Sequence, residues 1–286
     1  MDRTNKVYVI GTLLQVKDTR SGEKANSDGK NIPWIAGTAV VKSGDSEIEF
    51  KYYASAETQK GKANARYSNY SSLEEKVGDR VKVNGELSGR VWYNEGQAQI
   101  INFNEVSAGF FNAPKPTDED TATFEFVGFV TKPIHERYDK EGEKLLAYEI
   151  ELGQANYQQN NMQIVKFTVP VDSQRIYNAI AAAYHKDLTV SISGNIVYEV
   201  TIEEKTEEVA FGDPIVKKFQ NTRKSFVITG GKQPIFDEGI AYSKADIAKL
   251  QSAYNEYLAQ IEQEAKENKT VINNEPAKDS NASRLL

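Results

Sequence analysis

Apolar and polar residues alternate along many segments of the chain, which is the period of a β-strand with one buried face. In the first part of the chain this pattern predicts five strands, at residues 6–16, 34–41, 47–54, 80–87 and 97–106. Later in the chain it predicts five more, at residues 123–132, 145–152, 163–171, 188–200 and 222–229. The protein is therefore expected to be mainly β.

The two sets of strands resemble each other in order and spacing. The segment VYVIGTL (residues 7–13) has the same pattern as FEFVGFV (124–130), and VGDRVKVNGELS (77–88) is echoed by HKDLTVSISGNIVY (185–198). The glycines of these pairs are 117 and 109 residues apart, so the spacing is nearly constant. This favours a tandem repeat of one domain.

A helix is predicted between the third and fourth strands of each set. The first covers residues 72–76, and the second covers 173–187, where Ser173 is the expected N-cap. Three strands, a helix and two strands is the element order of the OB-fold, a small five-stranded barrel. We therefore predict two tandem OB-fold-like barrels. Two β-rich domains of another topology are the alternative.

The same pattern divides the chain into domains, a linker and a C-terminal helix. The first domain is expected at residues 1–111 and the second at 122–232, with a linker at 112–121 that holds two prolines and an acidic run. A helix follows within 233–268, and a flexible polar tail at 269–286. Its apolar stripe, which includes Ile247, Leu250 and Tyr254, needs a partner: the barrels, another copy of the chain, or another protein.

Charge and composition exclude several classes of protein. The net charge is −6, but residues 1–113 hold 15 Lys and Arg against 14 Asp and Glu, and the remainder holds 20 against 27. A polyanion should therefore prefer the first half. The chain contains no cysteine, which excludes disulfides and thiolate zinc sites. Without a signal peptide or a long apolar run at its start, the protein is expected to be cytoplasmic.

No pattern of catalytic residues or of cofactor binding stands out. The two histidines, His135 and His185, lie in different domains, and no phosphate loop, dinucleotide fingerprint or nucleophile elbow is present. We expect no enzymatic activity, no cofactor and no metal. A two-metal carboxylate nuclease stays open, because its ligands can lie far apart in the sequence.

Basic and aromatic residues are concentrated around the predicted binding face of the first barrel. In an OB-fold, the loops after the first and fourth strands flank the oligonucleotide-binding face. Single-stranded nucleic acid requires cations along its phosphates and rings on which unpaired bases stack. The candidate residues of the first domain are Lys17, Arg20, Trp34, Lys51, Tyr53, Lys60, Lys62, Arg66, Tyr67, Tyr70, Arg90, Trp92 and Tyr93.

Some of these residues also fit a structural role. Trp34 could be buried in the barrel, whereas Lys51 and Tyr53 should point outward because their neighbours alternate with them. Of the adjacent Trp92 and Tyr93, alternation lets one ring bind and makes the other pack. Residues 60–70 show no core pattern, so a mobile loop that becomes ordered on a bound strand is expected there.

The second domain offers fewer candidates in more acidic surroundings. It is expected to bind more weakly or to make protein contacts. Its candidate residues are Arg137, Tyr138, Lys217, Lys218 and Phe219.

These features resemble the single-stranded DNA-binding proteins built from tandem OB-folds, especially those of bacteriophages. The resemblance covers roughly residues 6–229 and rests on element order and basic-aromatic loops. It implies binding of single-stranded DNA with little sequence preference during replication, recombination or repair, in the host cytoplasm if the source is a virus. RNA stays open as the ligand. The chain ends in SNASRLL rather than in the acidic tip of bacterial members, so recruitment of replication enzymes through that tip is not expected.

The main alternative is a structural or adaptor protein without enzymatic activity. OB-folds also mediate protein contacts, so the fold alone does not assign a function. The exposed aromatic residues would then anchor a protein interface.

Overall fold

The structure is a computed structural model. It describes residues 3–26, 28–58, 60–139, 142–156, 159–207 and 215–274. For residues 200–207, 215–222 and 268–274 it describes the backbone alone.

The first five strands form a closed barrel. They are β1 (Asn5–Ala25), β2 (Asn31–Ser43), β3 (Ser46–Ser55), β4 (Arg80–Asn94) and β5 (Gln99–Asn112). β1 pairs with β2 and β4, β2 with β3, and β4 with β5, all antiparallel. A parallel contact between β3 and β5, at Phe50 and Val106, closes the ring. This is the topology of an OB-fold, and we call this unit barrel 1.

The next five strands repeat that topology. They are β6 (Thr121–Tyr138), β7 (Leu145–Ala155), β8 (Met162–Val169), β9 (Thr189–Glu207) and β10 (Ile215–Gly231). β6 pairs with β7 and β9, β7 with β8, and β9 with β10, and a parallel contact between Thr168 and Val227 closes the ring. This unit is barrel 2. The predicted fold class is confirmed.

The helices differ in position from the predictions. In barrel 1 the α-helix is α1 (Ala65–Ser71), capped by the Asn64 side chain, which accepts a hydrogen bond from the Arg66 amide. The predicted helix at 72–76 is instead a short 3₁₀ turn, Glu74–Lys76. In barrel 2, α2 (Gln174–Ala183) ends four residues before the predicted end. The position of α1 was missed because its basic and tyrosine-rich sequence lacks an obvious apolar stripe.

The C-terminal helix is longer than predicted. Helix α3 (Lys244–Asn274) includes the first six residues of the segment expected to be a flexible tail. Residues 275–286 of that segment lie outside the described residues. No helix in the described part of the chain combines the length and the apolar composition that a membrane span requires.

Aromatic clusters fill the two barrels. In barrel 2 the rings of Phe124, Phe167 and Phe226 lie 5.3–6.2 Å apart, at tilted angles that suit aromatic pairs. In barrel 1 the rings of Tyr70 and Phe111 meet edge to face at 6.2 Å. Both clusters belong to one continuous apolar core.

The barrels are joined by direct strand pairing. β1 pairs antiparallel with β6 from Asn5 and Phe126 to Ile10 and Thr121, so all ten strands form one sheet. The connection at residues 113–120 is held as well, because Arg80 donates hydrogen bonds to the Asp120 carboxylate at 2.6 Å and to the Asp118 carbonyl at 3.0 Å. The predicted extended linker is therefore tied to barrel 1.

A second contact between the barrels is made by the β4–β5 hairpin, which extends beyond barrel 1 and lies against β8. The Asn104 side chain donates to the Lys166 carbonyl at 2.7 Å and accepts from the Lys166 amide at 3.0 Å. Asn102 donates to the Ile164 carbonyl at 3.2 Å. At Gly89 a Cβ atom would lie 1.8 Å from the Ile164 carbonyl oxygen, so this approach requires glycine.

Helix α3 covers the junction of the two barrels. Its buried residues Ile247, Leu250 and Tyr254 cluster with Phe129 and Met162 of barrel 2, and Val91 of β4 packs against the same cluster. The apolar stripe that was expected to need a partner therefore finds one within its own chain.

We expect Gly89→Ala to lower the free energy of unfolding by about 1–3 kcal/mol, because the added methyl group overpacks the hairpin against β8. Gly96→Ala is the matched control, since a Cβ there would meet only the Asn94 side chain, at 3.4 Å. Chemical denaturation of both variants measures the effect. Equal stability of Gly89→Ala and the wild type would contradict the close contact.

Candidate nucleic-acid interface

The outer face of barrel 1 is built by simple alternation along β3. Ile48, Phe50 and Tyr52 point into the core, and Lys51 and Tyr53 point outward, as predicted. The register places Lys51 beside Thr38 and Tyr53 beside Ala36 on β2. The Lys51 ammonium donates a hydrogen bond to the Thr38 hydroxyl at 2.8 Å.

Two aromatic rings stack on this face. The rings of Trp34 and Tyr53 lie 6.1 Å apart at an angle of 29°. Trp34 is half-buried against Gly22 of β1, where a Cβ would lie 3.2 Å from the indole ring. Tyr53 is 58% exposed. Trp34 thus supports Tyr53 from the surface of the barrel and does not fill its core.

Beside the stacked rings lies a groove of about 820 Å³, which we call the barrel 1 groove. Its lining includes Tyr53 and four cationic side chains against two carboxylates: Arg20, Lys51, Arg66 and Arg90, with Asp18 and Glu105. A β-bulge between Lys17 and Arg20 breaks the pairing of β1 with β2 at this edge, and Asp18 there has φ 55°. The groove is therefore locally positive in a protein that is negative overall.

The segments predicted as loops flanking this face are mostly strands. β1 continues to Ala25 and β4 to Asn94, so two long hairpins border the groove. On β4, Trp92 is 55% exposed and Tyr93 is 8% exposed. This is the expected division between an outward ring and a packed one, and Tyr93 cannot offer a face to a base.

Phe103 was not among the predicted site residues; it pairs with Arg90 across the β4–β5 hairpin. It is 39% exposed on the same face as Arg90 and Trp92. Alternation with the buried Val106 and Ala108 could have identified it, because successive residues of this part of the strand point to opposite faces.

The segment expected to be a mobile loop contains a turn and helix α1. Lys60 and Lys62 are exposed in the turn, which the Thr58 amide closes by donating to the Lys62 carbonyl. Arg66 lies 5.7 Å from the Phe110 ring. Tyr67 and Tyr70 are three residues apart on α1, so both face the barrel.

The prediction of Tyr70 as a binding residue is wrong. Its side chain is 2% exposed, and its hydroxyl donates to the carbonyls of Ala108 and Gly109 at 2.8 and 2.9 Å. Burial raises the pKa of this phenol to about 12. Tyr67 is half-buried against the same core.

Two of the predicted cations of barrel 1, Lys17 and Arg90, are already paired with carboxylates, as is Lys224 of barrel 2. Lys17 and Lys224 both donate to Glu49, at 2.6 and 2.5 Å, and Arg90 contacts Glu105 at 2.7 Å. Burial by itself would raise the pKa of Glu49, but the two lysine hydrogen bonds outweigh it, and this pKa falls to about 2. A phosphate would have to compete with these carboxylates.

Barrel 2 presents its candidates differently. Arg137 pairs with Glu149 at 3.0 Å, and the exposed Tyr138 donates its hydroxyl to Glu136, which raises its pKa. The side chains of three more candidates on β10 lie outside the described residues: Lys217, Lys218 and Phe219. The outward face of β8, the counterpart of β3, meets the β4–β5 hairpin at Lys166 and the α3 cluster at Ile164. The equivalent face of barrel 2 is therefore partly covered.

The described residues contain no group of three or more His, Asp or Glu side chains placed to hold a metal ion.

The topology and the barrel 1 groove define a tandem OB-fold protein. The chain belongs to the YorF family, whose model matches residues 3–264. No curated protein matches it.

The solved structures similar to this chain include the following three. Wild-type single-stranded DNA-binding protein from Thermus aquaticus is 13% identical with a TM-score of 0.46, over 85% of this chain and 98% of that one. A deletion mutant of the same protein is 15% identical with a TM-score of 0.46, over 83% and 98%. A replication protein A heterotrimer bound to single-stranded DNA is 11% identical with a TM-score of 0.20, over 90% and 53%. At TM-scores below 0.5, these similarities carry no argument about function.

At neutral pH we expect Glu49→Gln to lower the free energy of unfolding by about 1–3 kcal/mol, because it removes two charge-assisted hydrogen bonds. The lysine contacts that lower the pKa of Glu49 contribute their full stability above the ordinary pKa of 4.5. This contribution is lost as the pH falls toward about 2, because the carboxylate is then protonated. The difference between wild type and variant should shrink over that interval in denaturation curves. Glu47→Gln, at an exposed position of β3, is the control. A difference in stability between wild type and Glu49→Gln that does not change with pH would contradict the assignment of this stabilisation to the ionised Glu49 carboxylate.

Proposed function

We propose that the barrel 1 groove binds single-stranded DNA with little sequence preference. The observation that carries the proposal is the stacked Trp34–Tyr53 pair at the edge of a groove with more cations than carboxylates. An exposed ring stacks on any unpaired base, at about 1–3 kcal/mol per base, and cations follow the phosphates.

The arrangement favours a single strand over a duplex. The faces of Tyr53 and Trp92 are available to bases, but bases in a duplex stack on each other and present only their edges. Because Arg90 and Lys17 are already paired with carboxylates, the electrostatic contribution is modest, and binding should weaken as salt rises.

The similar solved structures are of proteins named for single-stranded DNA or bound to it. We assign the same ligand to this chain because of the rings and cations of the barrel 1 groove. Protection of DNA during replication, recombination or repair, and the bacteriophage type, stay predictions. Titration with RNA of the same sequence separates the two nucleic acids, and failure of both would favour an adaptor protein.

We expect Tyr53→Ala and Trp92→Ala each to weaken binding of oligothymidine by about 1–3 kcal/mol. Both side chains are largely exposed, so the melting temperature should change little. Phe236→Ala, at an exposed position of the segment before α3, is the control and should bind normally. Fluorescence anisotropy of a labelled strand measures affinity, with a duplex as competitor. Normal affinity in both tyrosine and tryptophan variants, or equally strong duplex binding, would refute the proposal.

A second prediction concerns salt. Each phosphate contact to a single strand contributes about 0.7 to the slope of log affinity against log salt. Arg20→Ala and Arg66→Ala should each reduce this slope by about that amount, whereas Arg175→Ala on the exposed part of α2 should leave it unchanged. Titrations over a range of salt concentrations give the slopes. Unchanged slopes in both groove variants would place the phosphates elsewhere.

A further inference from the structure

A polar cavity of about 720 Å³ lies where barrel 1 meets barrel 2. It adjoins the barrel 1 groove, because Lys51 and Glu105 line both. Its volume falls within the range of about 300–1,000 Å³ that is usual for small-molecule sites. A strand that leaves the groove past Lys51 therefore reaches this cavity next.

Arg137 is among the residues that line the cavity, and two of its donor atoms are unpaired. Its Nη1 atom contacts the Glu149 carboxylate at 3.0 Å. Its Nε and Nη2 atoms are buried and have no hydrogen-bond partner within the described part of the chain. These two N–H groups form one edge of the planar guanidinium, so they point in parallel and can bind two adjacent acceptors. Buried donors without partners are rare in folded proteins.

The same cavity holds an unused acceptor. The Asn102 amide nitrogen donates to the Ile164 carbonyl, but its Oδ1 atom is buried and has no partner among the described residues. The Phe103 ring lines the cavity too and is partly exposed. A matching ligand would therefore present two adjacent acceptors, at least one donor, and a flat face.

Phosphate does not fit this requirement, since its oxygens only accept. Guanine does, because its O6 and N7 atoms accept together from one arginine, and its N1–H and N2–H groups donate from the adjoining edge. We infer that the cavity between the barrels receives one guanine base of the bound strand, with Arg137 on O6 and N7. The inference rests on the proposed function and adds a position of base preference to it.

The test compares oligothymidine with the same strand carrying a single guanine, moved along it one position at a time. Guanine at one position should tighten binding at least about fivefold, which is the low end of the discrimination given by a bidentate contact. Replacing it with 7-deazaguanine, which lacks the N7 acceptor, should remove most of that gain.

Arg137→Lys keeps the charge and loses the planar pair of donors. The affinity for the strand with one guanine, divided by that for oligothymidine, should therefore fall to about one in this variant. The same ratio should stay at the wild-type value in the control Arg175→Lys on α2. Thermal melting checks that both variants fold, and the 7-deazaguanine result needs no variant.

Each outcome bears on one of the two claims. If oligothymidine does not bind the wild-type protein, the proposed function fails and the inference fails with it. If oligothymidine binds but guanine gives no gain at any position, the inference alone is overturned. The inference is also overturned if the increase in affinity from guanine is kept with 7-deazaguanine, or is kept in a folded Arg137→Lys variant.

Discussion

The close approach of the β4–β5 hairpin to β8 is the constraint on which the rest of the structure depends. Gly89 lets the two backbones come together, and the Asn104 amide then satisfies both the carbonyl and the amide of Lys166. Buried backbone groups need such partners, because water cannot reach them. With the hairpin fixed, Arg90 lines the barrel 1 groove, and Phe103 on the neighbouring strand lines the cavity where the two barrels meet.

Two barrels of the same topology are used in different ways. Barrel 1 leaves the outward face of β3 open, with stacked rings and more cations than carboxylates beside it. In barrel 2 the equivalent strand, β8, is partly covered by the hairpin and by the cluster beneath α3. A repeated fold thus provides one open face and one structural face. The ion pair between Lys224 of barrel 2 and Glu49 of barrel 1 fastens the two further.

Alternation in the sequence predicted the strands and the outward direction of Lys51 and Tyr53, because the pleat of a strand is a local property. It failed where local pattern carries no signal. Helix α1 buries Tyr70 although its sequence resembles a polar loop, and the part of β1 that borders the groove, residues 17–24, is polar on both faces. Contacts such as that of Asn104 with Lys166 join residues far apart in the chain. The periodicity of apolar residues does not predict such long-range contacts.

The pairing of β1 with β6 has a consequence for how a ligand would leave. Tandem domains on a flexible tether can release a polymer one domain at a time, so a competing strand can bind to the domain that has dissociated. Here the ten strands form one sheet, and the connection at residues 113–120 is tied to Arg80. While this pairing holds, the barrels do not separate to give such a half-released state. Replacement of one bound strand by another would have to begin at one end of the binding site and proceed toward the other. Its rate would be set by how fast the end of the bound strand dissociates locally.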